Sequence, residues 1–232
     1  MSTYKQVIYM IFDRLKISSD DSFWEESHIA FLISKYRAIL LKQKYDDLKR
    51  ETPESAYQTI CLKLQHNSNC ITGEEISSID KIPNLLTLGD STIRYNITPK
   101  GDEFGDIGIE WTLISRDRLK FVGNNKWLSR IIYFAVGSDN KLYLKSANVN
   151  AKYIKEVSMS AVFEDPLEAI KYSCDKDDLV DCDIYESSIY LDEYLVPTLL
   201  NMIIEVLQPS LYKPEDKSNN ADDDLSNVNY TK

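Results

Sequence analysis

The sequence predicts an α+β fold in which N- and C-terminal helices form a bundle and a small antiparallel β domain is inserted between them. Apolar residues near both ends of the chain recur at three- and four-residue steps, the spacing of one helical face. The middle contains short alternating segments between glycine- and aspartate-rich turns, a pattern typical of antiparallel strands. The C-terminal end is polar and acidic, which predicts an extended tail.

Two helices joined by a tight acidic turn are expected to open the chain. The second begins at Ser22, where Ser22 and Glu25 have capping-box spacing, and extends to about Arg50, shortly before Pro53. One face of the first helix carries Tyr4, Val7, Ile8, Ile11 and Leu15. In the second helix, the residues expected to be buried are Ile29, Ile33, Tyr36 and Leu40, and those expected to face solvent or a neighbouring chain are Lys35, Lys42 and Tyr45.

The middle of the chain is predicted to form five or six short strands. Residues 57–64 fit either a strand or a third helix, and residues 70–90 are predicted to form a loop. A four-residue turn at 137–140 predicts a β-hairpin. The expected strands are 92–98, 107–114, 119–122, 130–136, 141–145 and 153–163.

Two helices are expected after the strands, a short one at 167–172 and a last one at 191–207. One face of the last helix carries Tyr194, Leu195, Thr198, Leu199, Met202, Ile203 and Val206. The predicted parts are an N-terminal helical hairpin with its following segment (1–69), an inserted β-rich domain (70–165), C-terminal helices packed on the hairpin (166–208) and an acidic extended tail (209–232). We expect Lys213 to Lys232 to be disordered in an isolated subunit and ordered in an assembly, which limited proteolysis would detect.

The composition disfavours a general nucleic-acid binder. The net charge is −10 and the pI about 4.8, whereas phosphate binding requires clustered lysine and arginine. A local basic face around Lys42, Lys44, Lys49 and Arg50 is an alternative, although Asp46 and Asp47 between them favour an ordinary solvated face. Fifteen tyrosines fit either a core with polar tips or protein–protein contacts. No segment approaches the roughly 20 apolar residues of a membrane helix, so no membrane partner is expected.

No catalytic, cofactor or metal site is predicted, and the protein is expected not to be an enzyme. The sequence contains neither a phosphate-binding glycine loop nor a GxSxG motif, and it has only two histidines. The acidic runs 175–183 and 222–224 lack the glycine and distal glutamate of a calcium loop, so they are interpreted as solvated loops. The four cysteines, Cys61, Cys70, Cys174 and Cys182, are expected to be reduced. An aromatic patch is expected in the core, with ligand stacking as the alternative; it comprises Phe121, Trp127, Tyr133 and Phe134.

Several segments, taken in order, resemble the tail ring proteins of crAss-like bacteriophages. The opening stretch, residues 4–64, contains a helical hairpin followed by a YQT-C segment at 57–61, and a K-IP-L segment lies at 81–85. Further matching segments lie at 125–148 and 162–169, and at 214–225 in the tail. No single segment is specific, but the ordered set spans nearly the whole chain.

This resemblance implies a virion structural protein that forms a homo-oligomeric ring of about a dozen subunits, a dodecamer. It further implies an adaptor-like helical bundle, and a head–tail connector role between the portal and the other ring, muzzle and cargo proteins of the tail. Such a ring would surround the channel for genome ejection, with passing contact with genomic DNA. The protein would be made in the host bacterial cytoplasm, and the adaptor-like hairpin favours the first, portal-proximal ring. The alternatives are an intracellular phage adaptor or regulatory module without a virion role, and a hydrolase with two convergent carboxylates.

Overall fold

The computed structural model describes residues 1–15, 24–47, 50–69, 73–86, 96–99, 110–148, 151, 153–174 and 184–211. The helices are α1 (Tyr4–Leu15), α2 (Glu26–Leu41), α3 (Arg116–Leu119), α4 (Pro166–Ile170) and α5 (Val196–Leu211). The strands are β1 (Gln58–Asn69), β2 (Gly73–Ser78), β3 (Asn96–Pro99), β4 (Glu110–Leu113), β5 (Ile131–Val136), β6 (Leu142–Lys145) and β7 (Glu156–Ala161). The predicted α+β class is confirmed.

Helices α1, α2 and α5, here called the helical end, share one apolar core because each has a continuous apolar face. The predicted face of α1 is confirmed: Tyr4, Val7 and Ile11 are fully buried. In α2, Ile29, Ile33 and Leu40 are buried as expected, Tyr36 is half-buried, and Lys35 and Lys42 are exposed. Within the described ranges, none of the helices has the length and apolarity needed to cross a bilayer.

Two predictions about helix faces are wrong. Tyr45 is buried instead of exposed, because α2 continues as a π-helical turn (Lys42–Asp46) that changes the angular position of each residue. The Tyr45 hydroxyl donates to Asp192 Oδ2 at 2.9 Å. In α5, Val206 and Thr198 are exposed, so the buried face is rotated from the predicted one. It consists of Val196, Leu199, Leu200, Ile203 and Leu207. Ser22, the predicted start of the second helix, lies outside the described residues.

The described strands form one seven-stranded sheet in the order β3-β7-β1-β2-β6-β5-β4. The long strand β1 organises it, because its first half pairs with β7 and its second half with β2. Alternate residues of the strands point into a second apolar core, as in Ile60, Leu62 and Leu64 of β1. Residues 58–64 therefore belong to a strand, which resolves the ambiguity between strand and helix for the predicted segment 57–64.

The structure corrects three predictions about the sheet. Residues 73–78, expected in a loop, form β2, which adds six residues to the pairing with β1. Residues 119–122, expected to form a strand, do not form one: Leu119 ends the helical turn α3, and residues 120–122 follow it in a turn. The sheet is not fully antiparallel, because β4 and β5 pair in parallel. A parallel pair needs a crossover connection, and residues 114–130 supply it.

A buried arginine joins the helical end to the sheet. Arg37 of α2 is 1% exposed, and its guanidinium donates to three backbone carbonyls. The acceptors are Tyr190 O at 3.0 Å, Phe163 O at 2.9 Å and Ala56 O at 3.3 Å. Ala56 lies just before β1 and Phe163 just after β7, so one side chain fixes the chain where it enters and leaves the sheet. Burial lowers the pKa of Arg37 to about 10, which leaves it charged at neutral pH.

A second polar contact supports the same junction. The Tyr4 and Ser34 hydroxyls lie 2.9 Å apart, and Ser34 Oγ donates to Asp165 Oδ1 at 3.0 Å. Asp165 also caps α4, because its carboxylate accepts from the Leu167 amide at 3.0 Å. Burial raises the pKa of Tyr4, so its hydroxyl stays protonated and continues to hydrogen-bond. The junction therefore holds α1, α2 and α4 in fixed positions relative to one another.

The prediction that all four cysteines are reduced is wrong for one pair. Cys61 of β1 and Cys174, which follows α4, form a disulfide. They lie close because the Cys61 amide donates to Tyr172 O at 2.8 Å, which holds the segment after α4 against β1. Cys70 and Cys182 lie outside the described residues, as do residues 212–232 of the predicted acidic tail. Residues 209–211, predicted to belong to that tail, instead end α5. The proposed division into four domains stays a prediction.

The disulfide is expected to stabilise the protein substantially. It closes a loop with a sequence separation of 113 residues, and in the chain-entropy model such a loop contributes about 4–5 kcal/mol. Cys61→Ser and Cys174→Ser should each lower the free energy of unfolding of the oxidised protein by about this amount. In the reduced protein, which has no disulfide to lose, each substitution should have a smaller effect. Urea unfolding with and without reductant measures both. Alkylation of Cys61 and Cys174 in native protein without prior reduction would contradict the bond.

Candidate assembly surface

The crossover between β4 and β5 forms a projecting surface, here called the tip (residues 116–130). It contains α3 and a 3₁₀ turn (Lys126–Leu128). Trp127 is 93% exposed, Phe121 is 74% exposed and Leu128 is 43% exposed. Large aromatic side chains usually remove most of their area from water, so two of them exposed on one short segment indicate a contact surface.

The tip is held firmly although its outer side chains are exposed. Leu119 is fully buried beneath it, and both terminal nitrogens of Arg116 bind the Glu75 carboxylate. The Arg116 guanidinium also lies 3.6 Å from the centroid of the Tyr143 ring, a cation–π contact. Glu75 is only 5% exposed, so Arg116 neutralises a buried charge of β2. Burial alone would lower the pKa of Arg116, but the hydrogen bond to Glu75 and its negative charge have the larger combined effect and raise the pKa.

The two exposed aromatic side chains follow backbone turns of defined geometry. Gly123 has φ +77°, and a Cβ there would lie 2.9 Å from Lys145 Cγ, so glycine is required on both counts. Lys145 Nζ donates to Lys120 O at 3.1 Å, next to Phe121. The Trp127 amide donates to Asn125 Oδ1 at 3.0 Å, which starts the 3₁₀ turn. The backbone at both aromatic positions therefore has a defined geometry in the isolated subunit.

The tip is basic in an acidic protein. Residues 116–130 include five basic residues and one acidic residue, a net charge of +4, whereas the whole chain carries −10. Arg118, Lys126 and Arg130 are exposed, and in the part of the chain that the structure describes no carboxylate pairs with them. Lys120 Nζ lies 5.0 Å from the centroid of the Phe121 ring. The tip thus combines exposed cations with exposed aromatic area.

Only part of the aromatic patch predicted from the sequence lies in the core. Phe134 is buried in the sheet and contacts Trp111 edge-on at 6.5 Å between ring centroids, and Tyr133 is half-buried. Phe121 and Trp127 lie outside the core, so their predicted burial is wrong. The prediction assumed strand spacing across residues 119–134, but Gly123, Asn124 and Asn125 are turn residues that interrupt it.

A second group of exposed apolar side chains lies on the helical end. They belong to three different helices: Tyr9 and Met10 to α1, Phe31 to α2 and Val206 to α5. Tyr194, just before α5, is 61% exposed, and its ring lies 5.9 Å from Lys44 Nζ. Of the predicted basic face, Lys42 is exposed and Lys44 is half-buried against Tyr194. This surface differs chemically from the tip, because it is apolar and tyrosine-rich.

Two clefts lie among the described residues. One, of about 350 Å³, lies between Pro83, Asn84, Asn140 and Glu164; the other, of about 310 Å³, borders the disulfide and includes Lys63, Asp80 and Glu156. His28 is exposed and stacks on Trp24 with 5.1 Å between the ring centroids. The acidic runs 175–183 and 222–224 lie outside the described residues.

The ion pair under the tip gives a testable prediction. Arg116→Met leaves the Glu75 carboxylate buried and unpaired, which should lower the free energy of unfolding by about 2–3 kcal/mol, less than for a fully buried pair since Arg116 is partly exposed. The exposed neighbour provides a matched control: Arg118→Met should change stability by less than about 0.5 kcal/mol. Urea denaturation followed by circular dichroism measures both, and equal stability of the two variants would contradict the role given to Arg116.

Comparison with known proteins identifies the family. A family model described as "Phage tail ring protein 2" matches residues 6–225. The chain is 38% identical over 228 residues to "Ring protein 2" of Bacteroides phage crAss001, covering 96% of this chain and 98% of that protein. Assignment to the first ring is therefore wrong, because both matches are to ring protein 2. The predicted kinship with the tail ring proteins of crAss-like phages is confirmed, and the chain belongs to the phage tail ring protein 2 family, whose members are structural proteins of the virion tail.

Proposed function

We propose that the protein forms a closed homo-oligomeric ring of about a dozen copies in the tail barrel, around the channel through which genome and cargo leave. The observation that carries this proposal is the tip, an ordered surface with exposed aromatic and basic side chains. A ring of identical subunits is built from heterologous contacts, in which one surface meets a different surface on the next copy. The tip and the helical end are two such surfaces.

The fold separates these two surfaces. The sheet joins the helical end near the start of β1 and the end of β7, whereas the tip follows β4 at one edge of the sheet. Strands β2, β6 and β5 lie between β1 and β4, a displacement of about 19 Å at 4.8 Å per strand. The tip of one copy is therefore free to reach the helical end of the next without competing contacts in its own subunit.

The expected contact has the composition of a strong interface. Buried tryptophan and arginine at the centre of an interface commonly contribute about 2 kcal/mol or more each. Each copy in a ring makes the contact twice, once with each neighbour. Closure of the ring is therefore cooperative even when each contact is modest. In the proposed barrel, the axial neighbours are the portal or other tail ring proteins, which supply the rotational template. The acidic remainder of the chain would repel passing DNA and keep the channel free of tight binding.

Electron microscopy tests the proposal directly. The protein is imaged alone, with the portal protein and with the other tail ring proteins of the same phage. Two-dimensional classes with rotational symmetry in any of these samples, and a copy number in purified virions comparable to that of the portal by mass spectrometry, are the expected results. A protein that stays monomeric in all three samples and is missing from virions would overturn the proposal and favour the intracellular adaptor.

A further inference from the structure

The exposed side chains of the tip are complementary to an acidic partner with some apolar character. Arg118, Lys120, Lys126 and Arg130 present four exposed cations, and Trp127 and Phe121 present aromatic area beside them. The net charge of +4 over residues 116–130 opposes that of the rest of the chain. Acidic groups would neutralise these cations, and an apolar residue next to them would cover the rings.

The chain contains a segment with this chemistry. Residues 212–232 follow the last residue of α5 and lie outside the described residues. Within them, residues 218–231 include three consecutive aspartates, Asp222 to Asp224, followed by Leu225, and they include no basic residue. The match to the family model continues to residue 225, and it therefore includes the acidic run.

The position of α5 makes this segment available to a neighbouring copy. Leu211 ends α5 in the helical end, the surface proposed to face the tip of the next copy. Eleven residue steps lead from Leu211 to Asp222, and at 3.3–3.6 Å per step they span up to about 35–40 Å. Each subunit of the proposed ring carries one such segment and one tip, so the two are joined within one assembly. The effective concentration of the segment at the tip is therefore about the millimolar range.

We propose that the acidic segment 218–231 of one copy binds the tip of the next copy. Asp222 to Asp224 lie beside Arg118, Lys126 and Arg130, and Leu225 packs against the Trp127 indole. This inference rests on the proposed ring, and it gives the predicted tail a specific partner. DNA is the competing ligand for a basic aromatic surface, but four exposed cations in a chain of net charge −10 support only weak, salt-sensitive phosphate binding.

Peptide binding tests the chemistry without requiring a ring. The receptor is the full chain carrying Asp222→Asn, Asp223→Asn and Asp224→Asn, and the probe is a fluorescein-labelled peptide of residues 212–232. Fluorescence anisotropy should show binding that weakens as salt rises, because the contacts are exposed charges. Replacing the three aspartates of the peptide by asparagine should weaken binding about tenfold. Lys126→Glu with Arg130→Glu in the receptor should weaken it by a similar factor, whereas Lys171→Glu, an exposed control outside the tip, should not.

Cross-linking distinguishes contact between copies from contact within one copy. A mixture of isotopically heavy and light full-length protein is treated with a carbodiimide, which joins lysine to aspartate. Cross-linked peptides that pair a heavy Lys126 or Lys120 with a light Asp222 to Asp224 support the proposal. Cross-links of one isotope only, or none to the tip, overturn it.

Two further outcomes overturn the proposal while leaving the ring intact. One is failure of the peptide to bind the receptor although wild-type protein forms rings in electron microscopy. The other is tip-dependent binding of a short DNA duplex at 100 mM salt that is tighter than binding of the peptide. If wild-type protein forms no rings but the peptide binds with the expected charge dependence, the proposed ring fails and the ligand chemistry of the tip is retained.

Discussion

Replacing Arg37 by methionine is expected to lower the free energy of unfolding by about 4 kcal/mol, a large share of the stability of a typical domain. Methionine has a similar volume, so the loss comes from hydrogen bonding and not from a cavity. Three buried carbonyls, those of Ala56, Phe163 and Tyr190, would each lose their guanidinium donor. Hydrogen bonds to charged groups contribute about 1.5–3 kcal/mol each, and partial relaxation with water reduces the sum.

Two further variants separate this effect from a general loss of charge. Arg37→Lys retains the positive charge but reaches fewer of the three carbonyls, so its stability should lie between those of wild type and Arg37→Met. Lys35→Met removes an exposed charge two residues away on the same helix and should change stability by less than about 0.5 kcal/mol. Thermal unfolding should show a midpoint about 10 °C lower for Arg37→Met, at 2–4 °C per kcal/mol for a chain of this size. Equal midpoints for Arg37→Met and Lys35→Met would contradict the proposed junction.

The burial of Arg37 could have been predicted from its position but not from its type. It lies four residues after Ile33 and three before Leu40, on the apolar face that periodicity correctly assigned. Arginine at such a position usually extends its charge to solvent. Here it is buried because three carbonyls converge from distant parts of the chain, and no local pattern encodes that convergence. The positive φ of Tyr190, 48°, is likewise set by tertiary contacts.

The helices were predictable because the spacing of their apolar residues is encoded locally. The sheet was only partly predictable. The hairpin of β5 and β6 followed from alternation around a four-residue turn, and it is confirmed. Strand β2 was not predicted because Glu74, Glu75 and Ser77 make its sequence polar. Its buried Glu75 carboxylate accepts hydrogen bonds from Arg116, which is distant in sequence. The parallel pairing of β4 and β5 was missed because strand direction depends on the path of the crossover.

The tip was the least predictable feature, although it is the best candidate for assembly. Phe121 and Trp127 were predicted to lie in the core because their spacing was interpreted as that of alternating strand residues. Their exposure in the isolated subunit is the observation on which the proposed contact rests. The segment's basic charge was visible in the sequence, but it was diluted in a chain whose overall charge is −10.

Trp127→Ala is therefore expected to abolish ring formation without affecting the fold. The side chain is 93% exposed, so its loss should change the free energy of unfolding by less than about 0.5 kcal/mol. At the centre of an interface, loss of a tryptophan costs about 2–4 kcal/mol, which weakens each contact by about 30- to 1000-fold. Closure requires every contact in the ring, so assembly should fail at concentrations where wild-type rings form.

Two controls and two measurements make this prediction specific. Trp127→Phe keeps an aromatic ring and should retain most of the assembly, whereas Tyr153→Ala removes a 66% exposed aromatic outside the tip and should have little effect. Sedimentation velocity and negative-stain microscopy, with portal or other ring proteins as template, report assembly, and urea unfolding reports the fold. Rings of Trp127→Ala that form at the wild-type concentration would exclude the tip from the contact between copies, and the exposed side chains of the helical end would then have to supply both surfaces of the ring.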